Sequence, residues 1–138
     1  MTDIRFINEF PGDMLARIAG LYISAKWIGE GDDISFLLPA LQGSFLVVGA
    51  FDDHGRIIGI ARALSDGCSD AYIQDVVVSP DNRGEGVGRK LVETLVAGLQ
   101  EKGVDWIALV GEPGTEEFYQ KLGWEKKSGF TMWQFNKL

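Results

Sequence analysis

Three glycines alternate with other residues in the segment Gly84-Glu85-Gly86-Val87-Gly88, between a predicted strand and a predicted helix. Glycine lets the backbone approach a ligand without a Cβ in the way. The first amides of a helix have no intrahelical partner and lie at the positive end of its dipole, so such an end binds phosphate. Arg83, Arg89 and Lys90 add positive charge. We therefore predict a phosphate-binding turn; the alternative is a tight turn without a ligand.

Two common nucleotide-binding motifs do not match this segment. The dinucleotide-binding fingerprint needs a third glycine where Arg89 stands, and it needs an early strand. A P-loop needs Gly-Lys followed by Ser or Thr, which the segment lacks. These mismatches make a plain nucleotide-binding domain the less favoured class.

Length and charge limit what this turn can serve. The chain has 138 residues, which predicts one domain over residues 1–138. Thirteen basic and twenty acidic residues give a net charge of −7, which disfavours nucleic acid as a partner. One cysteine, Cys68, and one histidine, His54, predict no metal site, because zinc takes three or four ligands. We expect no membrane partner and a cytoplasmic location, because the longest apolar stretch, Phe45–Phe51, is too short to span a bilayer.

The elements that must position the turn follow from periodicity and turn residues. Helices are predicted at about 14–25, with Asp13 as N-cap, and at 34–41, from 87 to 103, and at 115–122. Strands are predicted at 4–7, 44–52, 56–65, 71–79, 106–110, 124–126 and 130–135. Antiparallel hairpins come first and a strand–helix–strand unit later. The predicted class is α/β (α+β), a mixed, mostly antiparallel sheet of six to seven strands with about four helices on both faces.

Two motifs together carry a family resemblance. The arrangement Val78-x-Pro80-x-x-Arg83-x-x-Gly86-x-Gly88 resembles the acyl-CoA signature of the GNAT superfamily of N-acetyltransferases. Thirty residues later, the segment 118–124, Phe-Tyr-Gln-Lys-Leu-Gly-Trp, is similar to that superfamily's Phe-Tyr-x-Lys-x-Gly-aromatic segment. The resemblance covers nearly the whole chain and implies a single GNAT-like domain.

One branch of the superfamily is most similar. Asp66-Gly67, the run Ile73-x-Asp75-Val76-x-Val78-x-Pro80, Leu122-Gly123-Trp124 and the terminal Met132-Trp133 resemble small bacterial members and the plastid arylalkylamine or serotonin type.

The resemblance implies acetyl-CoA as co-substrate and direct attack of an amine on its thioester. In the family, the strand at 71–79 splays from its neighbour and frees backbone amides for the pantetheine arm and the thioester carbonyl. An amide aimed at that carbonyl is worth on the order of 3 kcal/mol in other oxyanion holes. The implied acetyl-CoA contacts are Val76, Val77, Val78, Arg83, Gly84, Glu85, Gly86, Val87, Gly88, Arg89 and Phe118.

Two proton transfers accompany this chemistry. In the family, a tyrosine at the position of Tyr119 protonates the leaving thiolate, and a phenol of pKa ~10 can donate at neutral pH. The base for the amine stays open. Many relatives have a carboxylate or histidine at the positions of Tyr72 or Gln74. Here Gln74 can only hold a water, Asp75 can serve if the strand bulges, and bulk water is the third alternative.

Strand alternation predicts two faces on the strand at 71–79. Tyr72, Gln74, Val76 and Val78 would share one face, and Ile73, Asp75 and Val77 the other.

The resemblance places the acceptor pocket at the first helices, their loop and the final hairpin. Aromatic rings beside carboxylates suit a cationic or aromatic amine. The candidate residues are Tyr22, Trp27, Glu30, Asp32, Asp33, Tyr72, Met132 and Trp133. The expected partner is a small-molecule amine or a peptide amine, and the apolar terminal strands are compatible with a homodimer. Two alternatives remain, a non-catalytic acyl-CoA-binding regulatory module and a protein or peptide acetyltransferase.

Overall fold

The computed structural model describes residues 2–136 of the chain. By its internal contacts the chain divides into two compact units, Met1–Ala108 and Leu109–Leu138. The assignment of one domain to residues 1–138 stays a prediction.

The sheet has five strands in the order β1-β2-β3-β4-β5. Strands β1 to β4 pair antiparallel with their neighbours along the chain. Helix α3 joins β4 to β5 in a strand–helix–strand unit, and the sheet is mixed. The strands are β1 (Asp3–Phe6), β2 (Leu46–Phe51), β3 (Ile57–Ser65), β4 (Asp70–Val78) and β5 (Trp106–Leu109), and the helices are α1 (Gly12–Ser24), α2 (Leu37–Gln42), α3 (Val87–Glu101) and α4 (Glu116–Lys121). The predicted α/β class, a mixed and mostly antiparallel sheet with four helices, is confirmed.

Helices cover both faces of the sheet in the first unit. Because side chains alternate along a strand, neighbouring residues of β2 point to opposite faces. Val47 belongs to the apolar cluster formed with Ile18 and Tyr22 of α1. Leu46 points the other way, where a Cβ built on Gly98 of α3 would lie 3.3 Å from it. Helix α1 therefore packs on one face of the sheet and α3 on the other.

Helix α1 ends in a motif that fixes the following aromatic residue. The Lys26 amide donates to the Ile23 carbonyl at 2.9 Å, and the Trp27 amide donates to the Tyr22 carbonyl at 3.1 Å. This is the Schellman pattern, and Lys26 takes the left-handed position with φ of 64°. The helix begins at Gly12 after Pro11, so the prediction of Asp13 as N-cap was wrong by two residues.

The prediction of six to seven strands was wrong, because the structure describes five. The segments expected as the last two strands, 124–126 and 130–135, have no strand structure. Aromatic residues favour extended backbone, but a strand also needs a pairing partner. The first segment instead closes α4: the Trp124 amide donates to the Tyr119 carbonyl at 3.0 Å, after Gly123 with φ of 91°. In the second segment Trp133 is 89% exposed.

Candidate functional site

The glycine turn, residues 83–88, joins the end of β4 to the start of α3. A short 3₁₀ helix, Pro80–Asn82, follows β4. Gly84 and Gly86 then adopt φ of 81° and 77°, which is the left-handed region that favours glycine. Helix α3 begins at Val87, and its first intrahelical bond runs from the Lys90 amide to the Gly86 carbonyl at 3.1 Å. The preceding amides of the helix have no intrahelical acceptor.

The surroundings of this turn are open and carry charges of both signs, with Glu85 exposed between Gly84 and Gly86. A Cβ built on Gly84 or Gly86 would meet no atom within 4 Å, so a ligand has room to approach the backbone there. Arg83 is exposed, and its Nε donates to the Val78 carbonyl at 3.4 Å. Arg89 is exposed and pairs with Glu93 at 3.3 Å. The turn therefore has the features that an anionic ligand requires.

Two predicted acetyl-CoA contacts turn their side chains into the protein core. Val87 is buried on the α3 side, 3.4 Å from where a Cβ on Gly59 would lie. Val77 is buried in the cluster under α1. These two residues offer a ligand their backbone only. The splayed strand and the free amides around Val76 and Val78 stay predictions.

Strand β4 contains a β-bulge in its middle. Arg62 of β3 lies opposite Gln74, and Ile60 lies opposite Val77, so β4 has one more residue than β3 between these two pairs. The bulge includes Asp75, which has φ of 57°. A non-glycine residue in the left-handed region costs of order 1–3 kcal/mol and persists only where its surroundings hold it. Aspartate is among the residues that tolerate this conformation best.

The bulge changes which residues share a face of β4. Residues directly opposite in an antiparallel pair point to the same side. Gln74 therefore shares a face with Arg62, and Val77 shares that same face with Ile60, in the cluster under α1. The predicted alternation holds before the bulge and is wrong after it. Val77 lies on the face of Gln74, while Val78, opposite Gly59, lies on the other face.

Asp75 is held by two side chains from other elements. The Tyr22 hydroxyl donates to Asp75 Oδ2 at 3.0 Å. The Arg62 Nε donates to the same oxygen at 2.7 Å, and the two side chains of this ion pair are 15% and 27% exposed. Burial, and secondly the neighbouring Asp75 charge, raise the pKa of the Tyr22 phenol well above its usual range. Tyr22 is therefore a proton donor in this contact, and Oδ2 of Asp75 accepts both bonds.

Arg62 was not predicted as a site residue, yet its guanidinium contacts three groups. Besides Asp75, its Nη1 donates to Ser44 Oγ and its Nη2 to Gln74 Oε1, both at 3.3 Å. The signal in the sequence was its isolation, because Arg62 is the only charged residue between Ile57 and Ser65. Ser44, which precedes β2, carried no comparable signal.

The predicted acceptor residues of the first unit fall into buried and exposed groups. Tyr22 is 4% exposed and contacts the Trp27 ring edge-on, with the centroids 5.2 Å apart. Glu30 is exposed in the following loop. Asp32 and Asp33 organise that loop: Asp32 Oδ2 accepts from the Gly29 amide at 2.7 Å, and Asp33 Oδ1 from the Ser35 amide at 2.9 Å. The second bond lowers the pKa of Asp33.

An aromatic pair stands at the exposed side of β4. The rings of Tyr72 and Trp106 meet edge-on with centroids 5.6 Å apart, and they are 48% and 51% exposed. Tyr72 lies two residues before Gln74, on the same face of the strand. The pair therefore borders the surface that carries Gln74 and Asp75.

Tyr119 belongs to the second unit. Its ring contacts Phe118 and Trp124 edge-on, with centroids 4.9 Å and 5.9 Å away. Burial, and secondly the negative charge of Glu112, raise the pKa of Tyr119. The phenol therefore keeps its proton at neutral pH. In the same unit, Met132 and Trp133 are exposed.

The structure thus brings together two sets of predicted residues within the first unit. Residues 83–89 form the glycine turn and the first residues of α3. Tyr22, Gln74 and Asp75 meet around Arg62. Their functional roles, and those of Phe118 and Tyr119, stay predictions.

Within residues 2–136, no group of three or more His, Cys, Asp and Glu side chains could hold a metal ion. Over the same residues, no helix combines the length and the apolar character that crossing a membrane requires.

Residues 42–126 match the family model described as "Acetyltransferase (GNAT) domain". The chain is 49% identical over 74 residues to serotonin N-acetyltransferase 2, chloroplastic, of Oryza sativa subsp. japonica, which covers 54% of this chain and 37% of that protein. It is 36% identical over 102 residues to histone acetyltransferase TAP1 of Glycine max, covering 67% and 44%. The chain therefore spans less than half the length of these two relatives.

A solved structure shows the same fold over the whole chain. The GNAT family acetyltransferase of Streptococcus pneumoniae superposes with a TM-score of 0.80 at 22% identity, covering 100% of both chains.

Proposed function

The chain belongs to the GNAT acetyltransferase family, and we propose that it transfers the acetyl group of acetyl-CoA, the co-substrate of that family, to a primary amine. One observation carries the proposal. A left-handed glycine turn at the start of α3 follows a bulged strand that holds a carboxylate, with one short 3₁₀ helix between them. Anion binding and proton acceptance are thus offered by one continuous segment.

The donor would bind at the glycine turn. The space beside Gly84 and Gly86 admits a phosphate to the backbone, and the amides at the start of α3 supply its hydrogen-bond donors. Arg83 and Arg89 are exposed beside it and add positive charge. When bound, acetyl-CoA supplies a thioester whose C–S bond breaks as the new C–N bond forms.

Asp75 would take the proton of the amine. An alkyl amine has a pKa near 10 and is mostly an ammonium ion at neutral pH, so it must lose a proton before it can attack. Tyr22 and Arg62 occupy Oδ2 of Asp75, which leaves Oδ1 to accept that proton. Gln74 has no basic group, and its carbonyl oxygen is engaged by Arg62.

Tyr119 would return a proton to the leaving thiolate. It stands in the segment that is similar to the family's Phe-Tyr-x-Lys-x-Gly-aromatic motif. Its raised pKa keeps the phenol protonated through the neutral range, as a general acid requires.

The proposed acceptor is an amine attached to an aromatic group. Tyr72 and Trp106 present exposed rings on the edge of the surface that carries Asp75. Aromatic pairs of this kind favour a further ring in edge-to-face or offset contact. A relative named serotonin N-acetyltransferase supports this class. A relative named histone acetyltransferase makes a peptide lysine the second candidate.

The test is a calorimetric titration of acetyl-CoA into the protein, followed by thiol release with serotonin, 2-phenylethylamine, spermidine and a lysine-containing peptide. We expect binding, and turnover that is fastest with the two aromatic amines. Tyr119→Phe should bind acetyl-CoA as the wild type does and lose on the order of 100-fold in kcat. Binding without turnover of any amine would favour the non-catalytic acyl-CoA-binding module. No binding would show that the glycine turn is only structural.

A further inference from the structure

The side chain of Arg62 is the centre of a polar cluster that ties together four segments of the chain. Its three bonds reach Ser44 before β2, and Gln74 and Asp75 on β4, while Tyr22 of α1 reaches the same Asp75 oxygen. A guanidinium can only donate hydrogen bonds. Each oxygen that faces Arg62 is therefore fixed as an acceptor.

This fixes the orientation of the two β4 side chains. Gln74 must turn its carbonyl oxygen to Arg62, so its amide nitrogen points away. Asp75 presents Oδ2 to both Arg62 and Tyr22, and its Oδ1 accepts no bond from either side chain. Ser44 Oγ accepts from Arg62 and donates to the Ala40 carbonyl at 2.8 Å, which anchors the guanidinium to the end of α2.

The cluster also accounts for the backbone at Asp75. The left-handed conformation persists only if contacts from elsewhere offset its cost. Both contacts come from distant parts of the chain, 53 and 13 residues away.

We propose that Arg62 and Tyr22 are positioning residues for acetyl transfer, which hold Asp75 Oδ2 and so aim Oδ1 at the proton of the bound amine. This rests on the proposed function, in which Asp75 is the base. The hydrogen bonds that fix the bulged conformation are the same bonds that orient the proton acceptor. Misplacing a reacting group by about 1 Å can cost on the order of 100-fold in rate.

The test compares kcat/KM for 2-phenylethylamine at pH 7.0 and pH 9.5 in Arg62→Met, Arg62→Lys and Tyr22→Phe. At the higher pH a sizeable fraction of the amine is already neutral, so the need for a base falls. In the part of the chain that the structure describes, the titratable groups that hydrogen-bond Asp75 are Arg62 and Tyr22. The raised pKa of Tyr22 keeps its phenol protonated at both pH values.

We expect Arg62→Met to lose about 10- to 100-fold in kcat/KM at pH 7.0 and several-fold less at pH 9.5. Arg62→Lys keeps the charge and loses the planar guanidinium. Its kcat/KM should lie between those of Arg62→Met and the wild type. The matched control is Arg56→Met, which removes an exposed arginine paired with Asp52 in the β2–β3 turn. The kcat/KM of this control should equal that of the wild type at both pH values.

Two results would overturn the inference while the proposed function stands. One is full activity of Arg62→Met and Tyr22→Phe at pH 7.0. The other is a loss of equal size at both pH values, which is the behaviour of a purely structural contact. If Arg62→Met does not fold, Arg62→Lys and Tyr22→Phe carry the same comparison. A wild-type protein without acetyl transfer to any amine would instead overturn the proposed function, and this inference with it.

Discussion

Asp75 and Gly86 lie eleven residues apart, and both have left-handed backbone, for opposite reasons. Gly86, with φ of 77°, takes this conformation at no steric cost and is surrounded by open space. Asp75, with φ of 57°, pays a steric cost that hydrogen bonds from α1 and β3 offset. The turn is a local structure that leaves room for a ligand. The bulge depends on tertiary contacts, in which Tyr22 and Arg62 hold the side chain of Asp75.

The proposed function gives the two regions separate tasks. The turn provides backbone donors, which suit the phosphates of acetyl-CoA. The bulge provides a carboxylate, which suits the proton of an amine. If the division is right, variants at one region should change donor affinity and variants at the other should change turnover.

The largest effect is expected for Asp75→Asn. The amide cannot accept the amine proton, and a positioned base is worth about 100- to 10,000-fold in rate. We expect kcat to fall by at least 100-fold, measured by thiol release, with unchanged acetyl-CoA affinity. Asp70→Asn, at the exposed start of β4, is the control. Turnover of Asp75→Asn at the wild-type rate would leave bulk water as the proton acceptor.

Gly86→Ala should lower acetyl-CoA affinity by about 10-fold or more, because the added methyl group occupies the ligand's approach and disturbs bonds to a charged group. Gly55→Ala is a closely matched control. Gly55 has φ of 74° and likewise no atom within 4 Å of an added Cβ. Both variants should lose about 1 kcal/mol in the free energy of unfolding. Only Gly86→Ala should bind acetyl-CoA more weakly, and equal affinity in both variants would contradict a donor site at the turn.

Tyr22→Phe should destabilise the protein by about 1–2 kcal/mol at pH 7, because it removes a hydrogen bond to a charged group. The pKa of Tyr22 is raised in the folded state. Its contribution is therefore fully present below the unfolded pKa near 10 and is lost as pH rises beyond that value. Urea unfolding at pH 7, 10 and 11 measures the free energy of unfolding, which should fall more steeply with rising pH in the wild type than in Tyr22→Phe. If this free energy falls equally in both proteins, the phenol does not donate to Asp75.

The smallest effect concerns Lys26, the other non-glycine residue with left-handed backbone in residues 2–136. It ends α1 through local backbone bonds. Lys26→Gly should therefore stabilise the protein, by about 0.5–1 kcal/mol. Asp75→Gly removes the same kind of steric cost but also the contacts with Tyr22 and Arg62, so it should destabilise. Thermal unfolding measures the change in stability of each variant relative to the wild type. A higher stability in both variants would mean that the contacts of Asp75 contribute little to folding.

The glycine turn could be predicted from the sequence because its determinants are local. Alternating glycines between an apolar strand and an amphipathic helix specify both the left-handed turn and the start of α3. The bulge depends on residues that are distant in the chain. Strand periodicity assumes a constant alternation, so it assigned Val77 and Val78 to the wrong faces.

The prediction of the last two strands was wrong for a related reason. The aromatic residues between Phe130 and Phe135 indicate a tendency to extended backbone, and pairing depends on a partner that the sequence does not name. Arg62 was not predicted as a site residue because its role depends on its hydrogen-bond partners. Those partners, Asp75, Gln74 and Ser44, are known only from the folded structure.

The most direct test of the division between turn and bulge is one calorimetric series, in which acetyl-CoA is titrated into the wild type, Gly86→Ala and Asp75→Asn, and each protein is then assayed for thiol release with 2-phenylethylamine. We expect Gly86→Ala to bind acetyl-CoA at least 10-fold more weakly. Asp75→Asn should bind it with wild-type affinity and turn over at least 100-fold more slowly. Weaker acetyl-CoA binding by Asp75→Asn, with full affinity in Gly86→Ala, would contradict the account.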